Sequence, residues 1–338
     1  MAGIPYKNYI LFTKSILVVV FLVILAGSIV RTTQSGMGCP DWPTCFGNII
    51  PPTAYAQVIF RPQHSYKKGQ FIIYNDSLKY ARQNFVSGSA YQPADWQQYE
   101  KHNYAKFEVY QTWIEYINRL CTGVLGILIL IHLVWSYRLF YATGKSIVAL
   151  SFGILLLTVF EAWLGKVLVD SNLAVLKITL HMFPVLLIAA IPVIILQQLA
   201  AEEQLPNRLL KNAAVAALLL LLVQLFTGTE VRAQVDTIAK SLNYDARELW
   251  IGALDRVFVF HQVFSFVIGV LCLFLGWRSF SYASLQGSGL RLIVLVLATA
   301  ALGFIMAYLH IPAAAQPLHL LLSSLLVLQL FAFRLQLK

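Results

Sequence analysis

Residues 10–30 read ILFTKSILVVVFLVILAGSIV, an apolar run interrupted by a single charged residue, Lys14. A helix needs about 20 apolar residues to cross a membrane, so this run predicts a spanning helix. It is long for the apolar region of a signal peptide, so we expect it to be retained. Seven further runs predict seven further spanning helices. They cover residues 113–135, 147–168, 175–197, 210–229, 255–277, 290–309 and 316–333.

The composition and the positions of the basic residues agree with this topology. Of 338 residues, 59% are hydrophobic, and the mean hydropathy is +0.70, which excludes an ordinary soluble domain. The net charge of +10 needs no nucleic-acid partner, because many basic residues lie in alternate short loops beside membrane lipid. The positive-inside rule then predicts a protein of the inner (plasma) membrane with both termini in the cytoplasm. The basic residues in these loops, at the two termini and in the adjoining ends of the apolar runs are Lys7, Lys14, Arg138, Lys145, Arg208, Lys211, Arg278, Arg291, Arg334 and Lys338.

An internal repeat divides the chain into two halves. Residues 27–31 and 228–232 end the first and fifth apolar runs, and both read G-x-x-V-R. Parallel repeats with an even number of helices place equivalent residues on the same side of a membrane. The fold class that follows is all-α: a polytopic membrane protein whose eight helices form two pseudo-symmetric four-helix bundles. We call residues 1–206 the first half and residues 207–338 the second half.

Three histidines and one asparagine occupy corresponding places in these halves. His181 and His319 each lie 16 residues after a glycine, while His261 and Asn118 lie at similar depths in the sixth and second runs. Ionisable residues inside a membrane are costly and are usually functional. Paired histidines on facing helices suit the axial positions of a haem, so the sequence predicts two haem sites. The alternative is a set of hydrogen-bonded structural histidines.

Charged residues accompany the predicted sites. Glu115, Asn118 and Arg119 share one helix face, because they lie three or four residues apart. Glu161 and Lys166 form a second expected pair. Arginines near the outer ends of the helices are candidates for contacts with haem propionates, although snorkelling to lipid headgroups is the alternative. These arginines are Arg31, Arg119, Arg232 and Arg256.

The only large extramembrane segment is the loop of residues 31–112, which we expect to fold as a small cap of turns and short helices. It contains Cys39 and Cys45. An oxidising outer compartment and this close spacing favour a disulfide, although two free thiols or a metal pair stay open. Cys121 and Cys272 lie in apolar runs and are interpreted as packing residues.

Two stretches of the sequence resemble motifs of one known family. The stretch of residues 27–45, GSIVRTTQSGMGCPDWPTC, closely resembles the first outer loop of the haem A synthase family. Residues 113–119, WIEYINR, resemble its second-helix motif, Glu-x-x-His-Arg. The resemblance extends over the whole chain, including the eight spans, the two halves, and histidines on the fourth, sixth and eighth spans.

The resemblance implies an oxidoreductase that converts the C8 methyl of haem O to a formyl group by successive hydroxylations, for terminal oxidase biogenesis. His261 and His319 would hold a haem b, and His181 would be an axial ligand of the substrate haem. Glu115 matches a functionally important glutamate and would be the catalytic residue, which either moves protons or stabilises a developing positive charge. Cys39 and Cys45 match the outer-loop cysteines of the family, although a second cysteine pair found in some members is missing.

The departure from the family is Asn118, which stands where the motif has a histidine. An amide is a poor iron ligand beside imidazole. This favours either a substrate haem with an open iron position or a relative that has lost or changed the hydroxylation.

Two other function classes are alternatives to this enzyme. One is a non-enzymatic membrane protein for di-haem electron transfer, haem carriage or assembly. The other is a transporter, which the absence of an evidently broken helix disfavours. A haem O synthase would need aspartate-rich motifs, and no D-x-x-x-D occurs. The expected partners are haem O, an electron donor that the sequence does not identify, membrane lipid, and a haem O synthase or terminal oxidase assembly factors.

Overall fold

A computed structural model of the protein describes residues 4–101, 105–170, 175–200 and 203–338. Within these residues, eight helices are long and apolar enough to cross a membrane. The prediction of an all-α polytopic membrane protein is therefore confirmed. The helices are α1 (Ile4–Thr32), α2 (Val109–Phe140), α3 (Lys145–Asp170), α4 (Val175–Ala200), α5 (Arg208–Ser241), α6 (Arg256–Ser279), α7 (Gln286–Tyr308) and α8 (Ala315–Leu335).

Helix α5 runs well past the end predicted at residue 229. Its 34 residues correspond to a length of about 51 Å, whereas the apolar core of a membrane is about 30 Å thick. The additional turns carry an ion pair between Arg232 and Asp236 at 2.7 Å. Val235 and Ala239 in these turns are buried in an apolar cluster with Trp250. Packing by these residues stabilises the helix beyond its membrane-spanning part.

The chain forms two compact units. One comprises Met1–Leu25, Leu128–Leu157 and Met182–Lys338, and the other comprises Ala26–Ile127 and Thr158–His181. The described residues of the first of these units include all of α5–α8. In this bundle α5 packs against α6 and α8, and α7 packs against the same two helices. The division into halves at residue 206 stays a prediction.

The apolar core of the α5–α8 bundle consists of fully buried small and large side chains. Ala214 and Ala217 on α5 let the neighbouring helices approach, while Leu275, Leu330 and Phe333 fill the space between them. Lipid tails are about as apolar as these side chains, so moving a side chain from lipid into the core removes no apolar surface from water. Close packing therefore holds such helices together.

The long loop contains two small antiparallel sheets instead of the expected short helices alone. The strands are β1 (Ser65–Tyr66), β2 (Phe71–Tyr74), β3 (Ser77–Ala81), β4 (Phe85–Val86) and β5 (Trp96–Gln98). They pair in the orders β1-β4 and β2-β3-β5. The β2–β3 turn has positive φ angles at Asn75 and Asp76. Asparagine and aspartate tolerate this conformation, which matches the twist of a two-residue hairpin.

Candidate functional site

In the second half, each predicted histidine ligand lies against a glycine of the preceding helix. A Cβ atom on Gly228 of α5 would lie 3.0 Å from Cε1 of His261 on α6. A Cβ atom on Gly303 of α7 would lie 3.5 Å from Cε1 of His319 on α8. The glycines therefore provide the space in which the two imidazole rings lie.

The first half has the same two contacts. A Cβ atom on Gly165 of α3 would lie 3.6 Å from Cε1 of His181 on α4. A Cβ atom on Gly27 of α1 would lie 3.9 Å from Oδ1 of Asn118 on α2. The side chain at position 118 thus faces a glycine in the way that the three histidines do. All four glycines mark the internal repeat in the sequence, but the repeat alone does not predict these contacts.

Hydrogen bonds fix the tautomers of both histidines in the second half. Nδ1 of His261 lies 3.0 Å from Oγ1 of Thr227, whose own proton is donated to the carbonyl of Gln224. The hydroxyl oxygen must therefore accept from Nδ1–H. Nδ1 of His319 lies 3.1 Å from the carbonyl oxygen of Thr299, which can only accept. Both rings consequently carry their lone pair on Nε2, the atom then available to bind iron.

Gln224 supports this assignment for His261. Its amide nitrogen donates to the His261 carbonyl at 2.9 Å and lies 3.3 Å from Nε2 of the ring. An amide N–H at that distance requires a lone pair on Nε2. The amide would have to move aside for a metal to bind there.

His181 in the first half has a different neighbour. Its Nδ1 atom lies 3.1 Å from Oε1 of Glu161, a carboxyl that is 8% exposed. Neither Nδ1 nor either Glu161 oxygen makes an aligned hydrogen bond with any described residue. Oδ1 of Asn118 is also buried without such a bond in the described part of the chain. Among the described residues, the first half therefore presents buried polar atoms without an aligned hydrogen bond.

Glu115, the predicted catalytic residue, is fully engaged. It is 4% exposed. Its Oε2 atom accepts from the backbone N–H of Cys39 at 2.9 Å, and its Oε1 atom accepts from Arg119. Both oxygens are therefore held by donors, one turn of α2 before Asn118.

Arg119 joins the long loop to α2. Its guanidinium donates to the carbonyls of Asp41 at 2.6 Å and Thr44 at 2.9 Å. Both residues lie inside the loop closed by the Cys39–Cys45 disulfide, which confirms the predicted pairing. Four hydrogen-bonding partners, Glu115 included, leave Arg119 committed to this loop rather than to an external carboxylate.

A buried tyrosine also holds the disulfide loop. Tyr99 donates its hydroxyl to the carbonyl of Pro40 at 2.9 Å. Burial raises the pKa of Tyr99 to about 12, so the hydroxyl stays protonated at neutral pH. The loop next to Glu115 is therefore fixed by the disulfide, Arg119 and Tyr99.

The remaining arginines differ in their surroundings. Arg232 contacts Gln316 on α8 and pairs with Asp236. Arg256 is exposed at the first turn of α6. Arg31, in the last turn of α1, has a polar interaction of its own. Their contacts with haem propionates stay a prediction.

The expected pairing of Glu161 with Lys166 is wrong. Lys166 instead binds Asp170 at 2.6 Å, four residues further along α3. Asp170 also binds Lys101 of the long loop at 3.1 Å. Residues four apart share a helix face whereas residues five apart do not, so Glu161 faces away from Lys166 and towards His181.

His132, which lies deeper in α2 than Asn118, has structural contacts. It is fully buried and stacks on Tyr9 with ring centroids 4.8 Å apart. Its Nε2 atom lies 3.1 Å from Oγ1 of Thr13, which donates its own proton to the Tyr9 carbonyl. It therefore exemplifies the packed, hydrogen-bonded histidine that was the alternative for the others.

These residues fit a haem better than a bare metal ion. Among the described residues, no group of three or more His, Cys, Asp or Glu side chains lies together as a metal site. A haem needs only one or two axial ligands from the protein. His261 and His319, each with a lone pair on Nε2 and each in a space left by a glycine, meet that requirement.

Comparison with known proteins identifies the family. The model of the family described as Cytochrome oxidase assembly protein, COX15-CtaA, matches residues 10–331. The chain belongs to this family. A curated relative named Heme A synthase, from Shewanella oneidensis, is 28% identical over 171 residues. That match covers 49% of this chain but 38% of the relative, so it extends over well under two thirds of the relative's length. The membership inferred from the two motifs is confirmed.

Proposed function

We propose that this member of the family is a haem A synthase. It would oxidise the C8 methyl of haem O to a formyl group by two successive hydroxylations and supply haem A for terminal oxidase assembly. Each hydroxylation would insert one atom of O2 into a C–H bond, while two electrons and two protons reduce the other atom to water. The diol formed by the second hydroxylation would lose water to give the formyl group. The observation that carries the proposal is the set of four glycine contacts, which frame three histidines and Asn118 in the same local way. The family membership and the name of the relative from Shewanella oneidensis support the same reaction.

The second half would hold haem b between His261 and His319. Thr227 and the Thr299 carbonyl keep Nδ1 protonated and so direct the Nε2 lone pairs to the ligand. Bound there, the haem would supply one-electron transfer. Electrons would come from a donor that is not part of this chain.

The first half would bind the substrate haem through His181. Asn118 offers an amide where a second histidine would stand, so one axial side lacks a nitrogen ligand of comparable strength. Gly165 and Gly27 leave room beside the two side chains. This arrangement is better suited to a substrate that enters and leaves than to a permanent cofactor, which would have two histidine ligands.

Glu115 would act electrostatically near the substrate. Its two oxygens are already held by Cys39 and Arg119, which argues against it as the first acceptor of a proton. A fixed carboxylate one turn from Asn118 stabilises positive charge that develops on the substrate. It also ties the disulfide loop to α2.

The proposed setting is the inner membrane, with both termini in the cytoplasm and the long loop outside. The alternation of basic loops supports this orientation. Haem O synthase and oxidase assembly factors are the proposed partners, because one would deliver the substrate and the others would receive the product.

A second candidate is a non-enzymatic di-haem electron-transfer or haem-carrier protein, which Asn118 favours. Chromatography of haems extracted from membranes that contain the chain together with a haem O synthase distinguishes the two. Haem A or the alcohol intermediate is expected, and a His181→Ala variant should abolish it. Well-folded protein that yields only haem b and unconverted haem O would contradict the enzyme and support the carrier.

A further inference from the structure

Glu161 is a buried carboxyl whose hydrogen-bonding capacity is not satisfied by the described residues. Both of its oxygens lack an aligned hydrogen bond. An unpaired buried carboxyl is costly, so such a group normally has a donor. Nδ1 of His181 lies within reach, 3.1 Å from Oε1.

The internal repeat gives an independent reason to pair these groups. Glu161 lies four residues before Gly165 on α3, and Thr299 lies four residues before Gly303 on α7. In the second half this position supplies the acceptor for the histidine, because the Thr299 carbonyl receives Nδ1–H of His319. The hydroxyl of Thr299 is directed to the carbonyl of its own helix instead. Position 161 is thus the repeat equivalent of a histidine-orienting position.

The chemical nature of the acceptor differs between the halves. His261 and His319 face a hydroxyl oxygen and a backbone carbonyl, which are neutral. His181 faces a carboxyl group. A carboxylate that accepts the outer N–H of a metal-bound imidazole fixes its orientation and raises its basicity more than a neutral acceptor does.

We propose that Glu161 is a positioning residue for the substrate haem. It accepts Nδ1–H of His181 and directs Nε2 to the iron. It thereby makes His181 a stronger electron donor to the iron than either histidine of the second half. The proposal rests on the proposed haem site at His181. With Asn118 as the group on α2, electron donation to that haem comes from a single histidine on α4.

The test is the iron–histidine stretching band in resonance Raman spectra of the reduced full-length protein, loaded with haem b. A haem with one histidine ligand gives this band, whereas a haem with two does not. The haem of the second half therefore contributes no such band. Glu161→Gln keeps the shape but replaces the carboxylate with a neutral amide. Glu161→Leu removes the acceptor, and exposed Glu108→Gln makes the same chemical change elsewhere.

We expect the band to shift to lower frequency in Glu161→Gln and further in Glu161→Leu, while Glu108→Gln matches the wild type. The haem reduction potential should rise in the same order. An unchanged band and potential in Glu161→Gln, with a band that His181→Ala removes, would overturn the role of Glu161 alone. A wild type without any His181-dependent band would overturn the haem site itself, and with it both proposals. If Glu161→Leu does not fold, the near-isosteric Glu161→Gln still decides.

Discussion

The two proposed haem sites share a framework but differ at two positions. In the second half, His261 and His319 each face a glycine, and each donates Nδ1–H to a neutral acceptor. In the first half, Asn118 replaces one histidine, and a carboxyl group, Glu161, replaces the neutral acceptor beside the other. We infer that these two changes distinguish a site that would retain a low-spin electron-transfer haem from one that would bind a substrate through one strong ligand.

The largest expected effect is the loss of a second-half ligand. His319→Ala should remove nearly all low-spin haem from purified protein, because one histidine does not complete a low-spin site. The visible spectrum of the reduced protein measures it. Exposed His310→Ala is the matched control and should retain full low-spin haem. Unaltered low-spin haem in His319→Ala would break the assignment of the second site.

The first half should also depend on the carboxylate that anchors its loop. Glu115→Ala should destabilise the protein by about 3–5 kcal/mol, because it leaves the largely buried Arg119 side chain, which is 13% exposed, without its charged partner. Thermal unfolding in detergent measures the change.

Lys101→Ala is the control for that measurement. Its side chain is half exposed in its ion pair with Asp170, so the expected loss is about 0–1 kcal/mol. Equal stability of the Glu115→Ala and Lys101→Ala variants would contradict a structural role for Glu115. Full haem A yield from a folded Glu115→Ala variant would contradict its catalytic role.

Asn118→His should make the first site resemble the second. The added imidazole provides a second nitrogen ligand, so low-spin haem should rise from one to two per chain in protein loaded with excess haem b. Electron paramagnetic resonance counts the low-spin centres, and Asn118→Gln is the control that keeps an amide. A spectrum that does not change would mean that position 118 does not face the haem.

The smallest effects should come from the glycines, graded by the space beside each. Gly228→Ala places a methyl group 3.0 Å from His261 and should cost about 1–3 kcal/mol by overpacking, with loss of low-spin haem. Gly27→Ala places it 3.9 Å from Asn118, an ordinary contact, and should be nearly neutral. Gly126→Ala faces open space and is the control. Thermal unfolding and haem content should follow this order, and the reverse order would contradict the contacts.

Hydropathy was sufficient to predict the eight helices, because each span must satisfy its backbone internally and present apolar side chains to lipid. It was insufficient for the end of α5, because the helix continues beyond the membrane through the Arg232–Asp236 pair and packing around Trp250. The β2–β3 hairpin was missed, although Asn75-Asp76 between two apolar runs is a turn signal.

The candidate ligands were predicted from the repeat, but their partners were not. The spacing from a preceding glycine indicated that position 181 corresponds to position 319. The groups that face Nδ1 of these two histidines lie on another helix in each half, α3 and α7. Glu161 was predicted to pair with Lys166 because both are charged and close in sequence. The orientation of α3, which one sequence does not reveal, turns Glu161 to His181 instead.

The most direct measurement is electron paramagnetic resonance of the oxidised protein loaded with two equivalents of haem b. The account predicts one low-spin centre that His261→Ala removes and one high-spin centre that His181→Ala removes. Two low-spin centres in the wild type, or a high-spin signal that survives His181→Ala, would contradict the proposed difference between the two sites.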